Sequence, residues 1–213
     1  MKTPRVLPNP ANTVIVLDFE TTGLSPDQGD RAIEIGAVKI EGGEVIDRFQ
    51  SLMNPGQRIS AFIESYTGIT NAMLKTAPPC SDVMAAFADF AGSADLVAHN
   101  ASFDKRFLLA ELKRIKRKCH GEFACSMLVA RRLFQNAENH QLGTLVRYAN
   151  IPNDGTFHRA LADAQMTAHL WLGMIDHLRD GYRINHVPFS LMQKLSATPK
   201  HAVKRLLKRV ASQ

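Results

Sequence analysis

The chain has 213 residues, 45% of them hydrophobic and 22% charged, enough for one domain with a full core and unlike a disordered or fibrous polypeptide. Its apolar runs are too short to cross a bilayer as a helix. The net charge of +6 is unevenly placed: seven of the 26 Lys and Arg residues lie from Tyr182 onward with no Asp or Glu, which leaves 19 basic against 20 acidic residues in positions 1–181.

Met1–Asn12 contains three prolines and no apolar h-region, so it does not read as a secretory signal. Val14–Leu17 is an apolar run that reads as a buried strand and leads straight into Asp18, Phe19 and Glu20. Side chains alternate along a strand, so Asp18 and Glu20 share a face and Phe19 points to the other. Two carboxylates at the end of a buried strand repel each other and lose hydration. A divalent cation that takes oxygen ligands, magnesium or manganese, would compensate. The plain alternative is a strand end with two solvated acids.

Leu24–Asp30 is turn-rich. Ala32–Ile40 reads as a second strand, with Ile33, Ile35, Ala37 and Lys39 on one face. The hairpin signal Glu41-Gly42-Gly43-Glu44 returns it as Val45–Leu52, which makes an antiparallel meander. A loop at Asn54–Ser60 precedes Ala61–Ala72. Ser81–Ala91 is an amphipathic helix with Val83, Ala86, Phe87 and Phe90 at helical spacing and Ser81 as N-cap. A short strand follows at Asp95–His99. The helix Ser102–Arg117 carries Phe103, Phe107, Leu108 and Leu112 on its core stripe. Its other face holds Lys105, Arg106, Lys113, Arg114 and Arg117, read as solvated in preference to a nucleic-acid patch.

Cys80, Cys119 and Cys125 are odd in number and lack Cys-x-x-Cys spacing, against both a disulfide framework and a zinc site. A reducing, cytoplasmic compartment is the expectation. Glu122–Ala124 is a short fifth strand, and Ser126–Phe134, Gln141–Ala149 and Phe157–Leu178 are helices. Phe189–Pro199 is a low-charge stretch whose Gln193-Lys194-Leu195 is a faint sliding-clamp-peptide signature. Thr198 and Pro199 then resemble an N-cap and first helical position. Val203, Leu206, Leu207 and Val210 form one apolar stripe, with Lys204, Arg205, Lys208 and Arg209 off it. This helix is too short to stand alone and needs the body, another protein or a second copy to cover it. The expected organisation is an extension at 1–12, one domain at 13–181 and a basic tail at 182–213.

Three motifs stand in order: Asp18-x-Glu20; His99-Asn100-Ala101-Ser102-Phe103-Asp104 after the second apolar strand; and His158 followed after four residues by Asp163. Together they resemble the DEDDh exonucleases of the DnaQ-like family, which includes proofreading subunits of bacterial replicative polymerases. The resemblance runs from about Thr13 to Leu178. It implies a ribonuclease-H-like α/β fold: a mixed five-stranded sheet of antiparallel meander plus parallel strands, flanked by helices, with right-handed crossovers. It implies metal-dependent 3′→5′ hydrolysis of phosphodiesters at the 3′ ends of single-stranded or frayed DNA, in proofreading or repair. Two divalent cations would be held by Asp18, Glu20, Asp104 and Asp163, with Asp18 the bridging candidate.

His158 is the candidate general base, since an unperturbed imidazole is largely neutral at pH 7. Five residues turn about 500° along a helix, so His158 and Asp163 would not share a face of one helix. His158 therefore belongs on the loop or first turn ahead of it; the alternative is a helix cap. By the same resemblance, backbone N–H groups of Thr21 and Thr22 would meet the terminal 3′ hydroxyl or phosphate. Leu24 and Phe103 would offer apolar surface to the terminal base or sugar, His99 would line the groove and Asn100 would make a polar contact. Tyr66-Thr67-Gly68-Ile69-Thr70 departs from the family's His-Gly-Ile-Thr segment. The implied partners are nucleic acid and, beyond it, a polymerase or sliding clamp, with no membrane. Two other readings stay open: an exoribonuclease trimming RNA 3′ ends, because the 2′ hydroxyl is read by pocket detail, and a non-catalytic nucleic-acid-binding or polymerase-associated module. The presence of all four carboxylates and the histidine disfavours the last.

Overall fold

The structure, a computed structural model, describes residues 9–151 and 159–212. Strand β1 (Val14–Thr21) is the centre of the sheet, and its burial explains its composition. It pairs antiparallel with β2 (Ala32–Glu41), which pairs antiparallel with the edge strand β3 (Glu44–Leu52). On the other side β1 pairs parallel with β4 (Leu96–Ala98), and β4 parallel with β5 (Phe123–Cys125). Among the described residues these form one sheet of order β3-β2-β1-β4-β5, the mixed sheet expected from chain order.

The helices are α1 (Ala61–Thr67), α2 (Asn71–Thr76), α3 (Cys80–Ala91), α4 (Ser102–Arg114), α5 (Ser126–Leu133), α6 (Leu142–Tyr148), α7 (Ala160–Tyr182), α8 (Phe189–Ala197) and α9 (Val203–Ala211). Alternation on β1 divides the core. Ile15, Leu17 and Phe19 face one side with Val83, Met84 and Phe87 of α3 and Phe107 and Leu108 of α4. Val14 and Val16 face the other with Trp171 and Met174 of α7, and there Asp18 and Glu20 also point by period.

Several local expectations are corrected. Strand β2 is buried on both faces: Val38 and Ile40 join the α7 side and Ile35 and Ala37 the α3 side, because helices cover the sheet twice. Ser81 is the second residue of α3, not its cap; Pro79 holds the cap position, and the Ser81 hydroxyl donates to Asp82. Helix α4 ends at Arg114, three residues short of Arg117, which leaves the helix and pairs with Asp89. Phe189–Pro199, the low-charge stretch with the faint clamp-peptide signature, is folded into the body. It contains helix α8, with Met192 and Leu195 fully buried, and the Gln193 side-chain amide donates to the Phe123 carbonyl. Those contacts remove Gln193-Lys194-Leu195 as a free clamp peptide.

Both ends of the described chain are tied into the body. Residues Pro10 and Pro188 form a bridge, and the Trp171 indole N–H donates to the carbonyl of the buried Ala11 at 2.7 Å. Val203, Leu206 and Leu207 of α9 are buried in the α7-side core, so α9 is covered by the body, while its four basic residues stay exposed. No helix among the described residues is long and apolar enough to cross a membrane.

Candidate active site

The site forms where β1 outruns β4. Ile15 N–H donates to the Asp95 carbonyl, but β4 stops at Ala98, and its register with β1 runs only through Val16 and Val97. Asp104, in the first turn of α4, takes over beyond it: its Oδ1 accepts the Phe19 N–H at 3.2 Å. The opposite face of β1 presents Asp18 and Glu20, and α7 brings Asp163 in its own first turn. Each of these helix-borne acids sits where the helix dipole favours negative charge.

Gly36 permits that approach. It is the register partner of Asp18, and a Cβ built on it would lie 2.1 Å from Leu161 N and 2.2 Å from the Ala160 carbonyl carbon. The start of α7 therefore rests directly on β2 backbone. A buried ion pair holds it there. Glu34, fully buried and opposite Glu20 in the sheet, accepts from Arg159 Nε and Nη2 at 3.1 and 2.9 Å and from Ala160 N at 3.1 Å. Gln50 donates to the same carboxylate at 2.9 Å. Helix α4 is tied to the start of β2 in the same way, by Arg31 donating to the buried Glu111 at 2.7 and 2.9 Å.

Ligand oxygens of Asp18, Glu20 and Asp163 all lie within 4.8 Å of one another. Burial first, then the charges of Asp104, Asp163 and Glu20, raise the Asp18 carboxyl well above the usual range. Burial, Asp163, Glu34 and Asp104 push Glu20 up to about 8, against a lowering by Arg159. Burial raises Asp104 to about 7, opposed by the amide bonds it accepts. A cluster whose burial and mutual repulsion resist ionisation fits a hard divalent cation, and its donors are all carboxylate oxygens. Asp104 stands beside this trio rather than within it.

The trio lines a cleft of about 680 Å³ whose walls include Thr21, Thr22, Leu24 and Phe103. Leu24 is 72% exposed, and the Phe103 ring lies against Phe107. The Thr22 N–H, however, is donated to the Arg31 carbonyl at 2.8 Å, and its hydroxyl binds Asp30 while accepting from Arg31 N. Thr22 therefore pins the 22–31 loop, and its amide is not offered to a ligand.

His99 and Asn100 are not among the lining residues. The His99 ring bridges Ser126 Oγ at 2.8 Å and the His140 carbonyl at 2.9 Å. A carbonyl only accepts, so Nε2 carries the proton, and burial holds this imidazole down to about 4. Asn100 takes a positive φ of 70° in the turn into α4. His158 lies outside the described residues; Arg159, the next residue, is anchored by Glu34. Glu34, Arg159, Arg31 and Glu111 escaped the reading of the sequence. A lone acid between Ile33 and Ile35 was the available signal for Glu34.

Residues 15–171 match the RNase_T family, described as exonuclease. The chain is 41% identical over 172 residues to DNA polymerase III PolC-type of Bacillus cereus (strain ATCC 14579) and 41% over 165 residues to that of Bacillus subtilis (strain 168). Those matches cover 80% and 76% of this chain but only 12% and 11% of the relatives' length. Among solved structures, Exonuclease X in complex with 5′ overhanging duplex DNA superposes with a TM-score of 0.68 at 28% identity, covering 86% of this chain and 99% of that one. The nuclease domain of 3′hExo, a DEDDh family member bound to rAMP, shares the fold, with a TM-score of 0.66 at 20% identity over 78% of this chain and 92% of that one. With the acidic residues of all three motifs gathered on one sheet end and the family matched over residues 15–171, the chain belongs to the RNase_T exonuclease family.

Proposed function

We propose that this chain is a metal-dependent 3′→5′ exonuclease that removes nucleotides from the 3′ ends of single-stranded or frayed DNA. The observation that carries the reading is the trio Asp18, Glu20 and Asp163 on the floor of an open cleft, three carboxylates held within 4.8 Å of one another. Asp18, Glu20, Asp163 and Asp104 are the residues that would hold two magnesium or manganese ions. Such ions, when bound, supply positive charge to the attacking and leaving oxygens of an in-line displacement.

The chain's own residues do the rest. Leu24 and Phe103 flank the terminal nucleotide with apolar surface that does not depend on base identity. His158 takes the proton of the attacking water. The water oxygen bonds to phosphorus, the bond from phosphorus to the 3′ oxygen of the penultimate nucleotide breaks, and a nucleoside 5′-monophosphate leaves. Glu34 keeps Arg159, and with it the chain next to His158, on β2. DNA is favoured over RNA because the Bacillus relatives named above are DNA polymerases and Exonuclease X, at 28% identity, is bound to DNA. A polymerase partner is part of the same reading, as the chain corresponds to a small part of those polymerases.

The test is degradation of 5′-labelled single-stranded DNA and RNA side by side, with and without magnesium. A ladder shortening from the 3′ end of DNA, dependent on the metal, is expected. Shortening of RNA alone would move the reading to an exoribonuclease, and intact strands under all conditions would leave the non-catalytic alternative.

A further inference from the structure

A second hollow, of about 440 Å³, lies where the loop between β3 and α1 meets α2. Gly56, Gln57 and Arg58 line it from the loop, and Leu74 and Lys75 from the helix. Ser60, two residues beyond Arg58, lines the catalytic cleft instead, so the two spaces are neighbours with separate walls.

The hollow is preformed. Asn71 Oδ1 accepts from Ile59 N at 2.9 Å and Asn71 Nδ2 donates to the Ile59 carbonyl at 3.1 Å, which clamps the loop to the start of α2. Gly56 turns the loop with a positive φ of 75°, and its N–H donates to Asn54 Oδ1 at 2.9 Å. Gln57 Nε2 donates to the Gly29 carbonyl at 3.3 Å and to Thr22 Oγ1 at 3.4 Å, which ties this wall to the 22–31 loop.

The side chains around the hollow are rich in donors, and no Asp or Glu lines it. Arg58 and Lys75 are exposed, and neither enters an ion pair or a side-chain hydrogen bond among the described residues. Asn54, also in the wall, spends its Oδ1 on Gly56, while its Nδ2 donates to no protein group among the described residues. Arg58 acts on Glu64 as its smallest influence, behind the two Asn71 bonds that Glu64 Oε1 accepts. Two cations and an amide donor around a space without a carboxylate favour an anion. No aromatic ring lines the hollow, so stacking on a base is not what would hold the ligand. A phosphate group matches the donors: the guanidinium fork takes two of its oxygens and the ammonium adds a point charge.

We infer that this hollow is a phosphate-binding site separate from the catalytic cleft, with Arg58 and Lys75 supplying the charge and Asn54 Nδ2 a third donor. Its ligand is a phosphate ester, either a free nucleoside 5′-monophosphate or an internucleotide phosphate of a strand, which offer the same oxygens. The site does not depend on the exonuclease reading.

The test uses the full chain without added metal, so that nothing is cleaved, and follows the backbone amide resonances of Gly56, Arg58 and Lys75. Three ligands are titrated: deoxyadenosine 5′-monophosphate, deoxyadenosine, and a short single strand with hydroxyls at both ends. The monophosphate should shift these amides, and deoxyadenosine should not. Arg58→Gln and Lys75→Gln should each weaken the monophosphate about tenfold. Both side chains are exposed, so the melting temperature of the variants should stay at the parent's value. A strand that shifts the same amides at lower concentration than the monophosphate supports the site as one for the backbone. A strand that leaves them unmoved, while the monophosphate shifts them, supports it as one for the free nucleotide. Amides unmoved by both phosphate esters, or an unchanged midpoint in the double variant, would overturn the site. Failure of the strand-shortening assay would leave all of these outcomes readable.

Discussion

Asp18 stands among other acids, between Leu17 and Phe19 on a buried strand, and its charge is tolerated only if something positive arrives. Asp18→Ala removes a repelling carboxylate and a ligand together. Turnover should be abolished, while the melting temperature without metal stays level or rises. Added magnesium should raise the melting temperature of the parent and not of the variant; full turnover in the variant would sink the assignment. The same crowding sets a pH dependence. Glu20 and Asp104 are raised to about 8 and about 7, so between roughly pH 4 and those values the folded chain binds more protons than the unfolded one. Metal-free stability should therefore be fully present below about pH 4 on this account and fall as pH rises toward 8. Melting temperatures across that range, with and without magnesium, check it: the decline should be smaller with the metal. His158→Ala should lower the rate about 10²–10⁴-fold with little effect on strand binding. It should also remove the loss of rate seen as pH falls through the imidazole range, and an unaltered pH profile would refute the role.

At the scale of elements, two helices bring acids to the sheet and each is fastened to β2 by an arginine and a buried glutamate. Glu34→Ala would leave the start of α7 without its carboxylate. The expected cost is about 3 kcal/mol, at the low end for a broken buried pair because Arg159 is 37% exposed and can turn to water. Denaturant unfolding measures it. Gly36→Ala should act on the site more than its size suggests, since the added methyl would meet α7 backbone at 2.1 Å. To make room, α7 must lift, and Asp163 goes with it. The expected result is a lower melting temperature together with a weaker response to magnesium. A variant that melts lower but keeps the full magnesium response would separate helix packing from ligand placement.

For the whole molecule, the basic tail and the core are one structure. Leu207 is fully buried and Val203 nearly so, which means that deleting residues from Pro199 onward opens the α7-side core. Truncation should lower stability, and activity losses in that variant would say little about charge. The exposed basic residues of α9 are better tested by substitution in place: Lys204→Gln, Arg205→Gln, Lys208→Gln and Arg209→Gln leave the buried stripe intact. If these residues touch the phosphate backbone, KM for long single strands should rise with little change in kcat. The salt slope of binding should flatten by about 0.7 for each phosphate no longer neutralised. An unchanged slope would show that the charges are only solvated.

Chain order and alternation were enough to place the acids. Asp18 and Glu20 follow an apolar run with period two, Asp104 and Asp163 open helices, and the meander announces itself through Gly42 and Gly43; such features are local, set by sterics and burial along a few residues. The sequence by itself therefore determined the strands, the face on which the acids lie and the family they resemble. What only the tertiary structure decided depends on contacts between residues far apart. The Thr22 amide is consumed by Arg31, His99 is drawn away by Ser126 and His140, Glu34 meets Arg159 across 125 positions, and a low-charge stretch from Phe189 becomes a core helix. No local pattern specifies these, because hydrogen-bond partners and covered faces are chosen by whatever the completed fold brings alongside them.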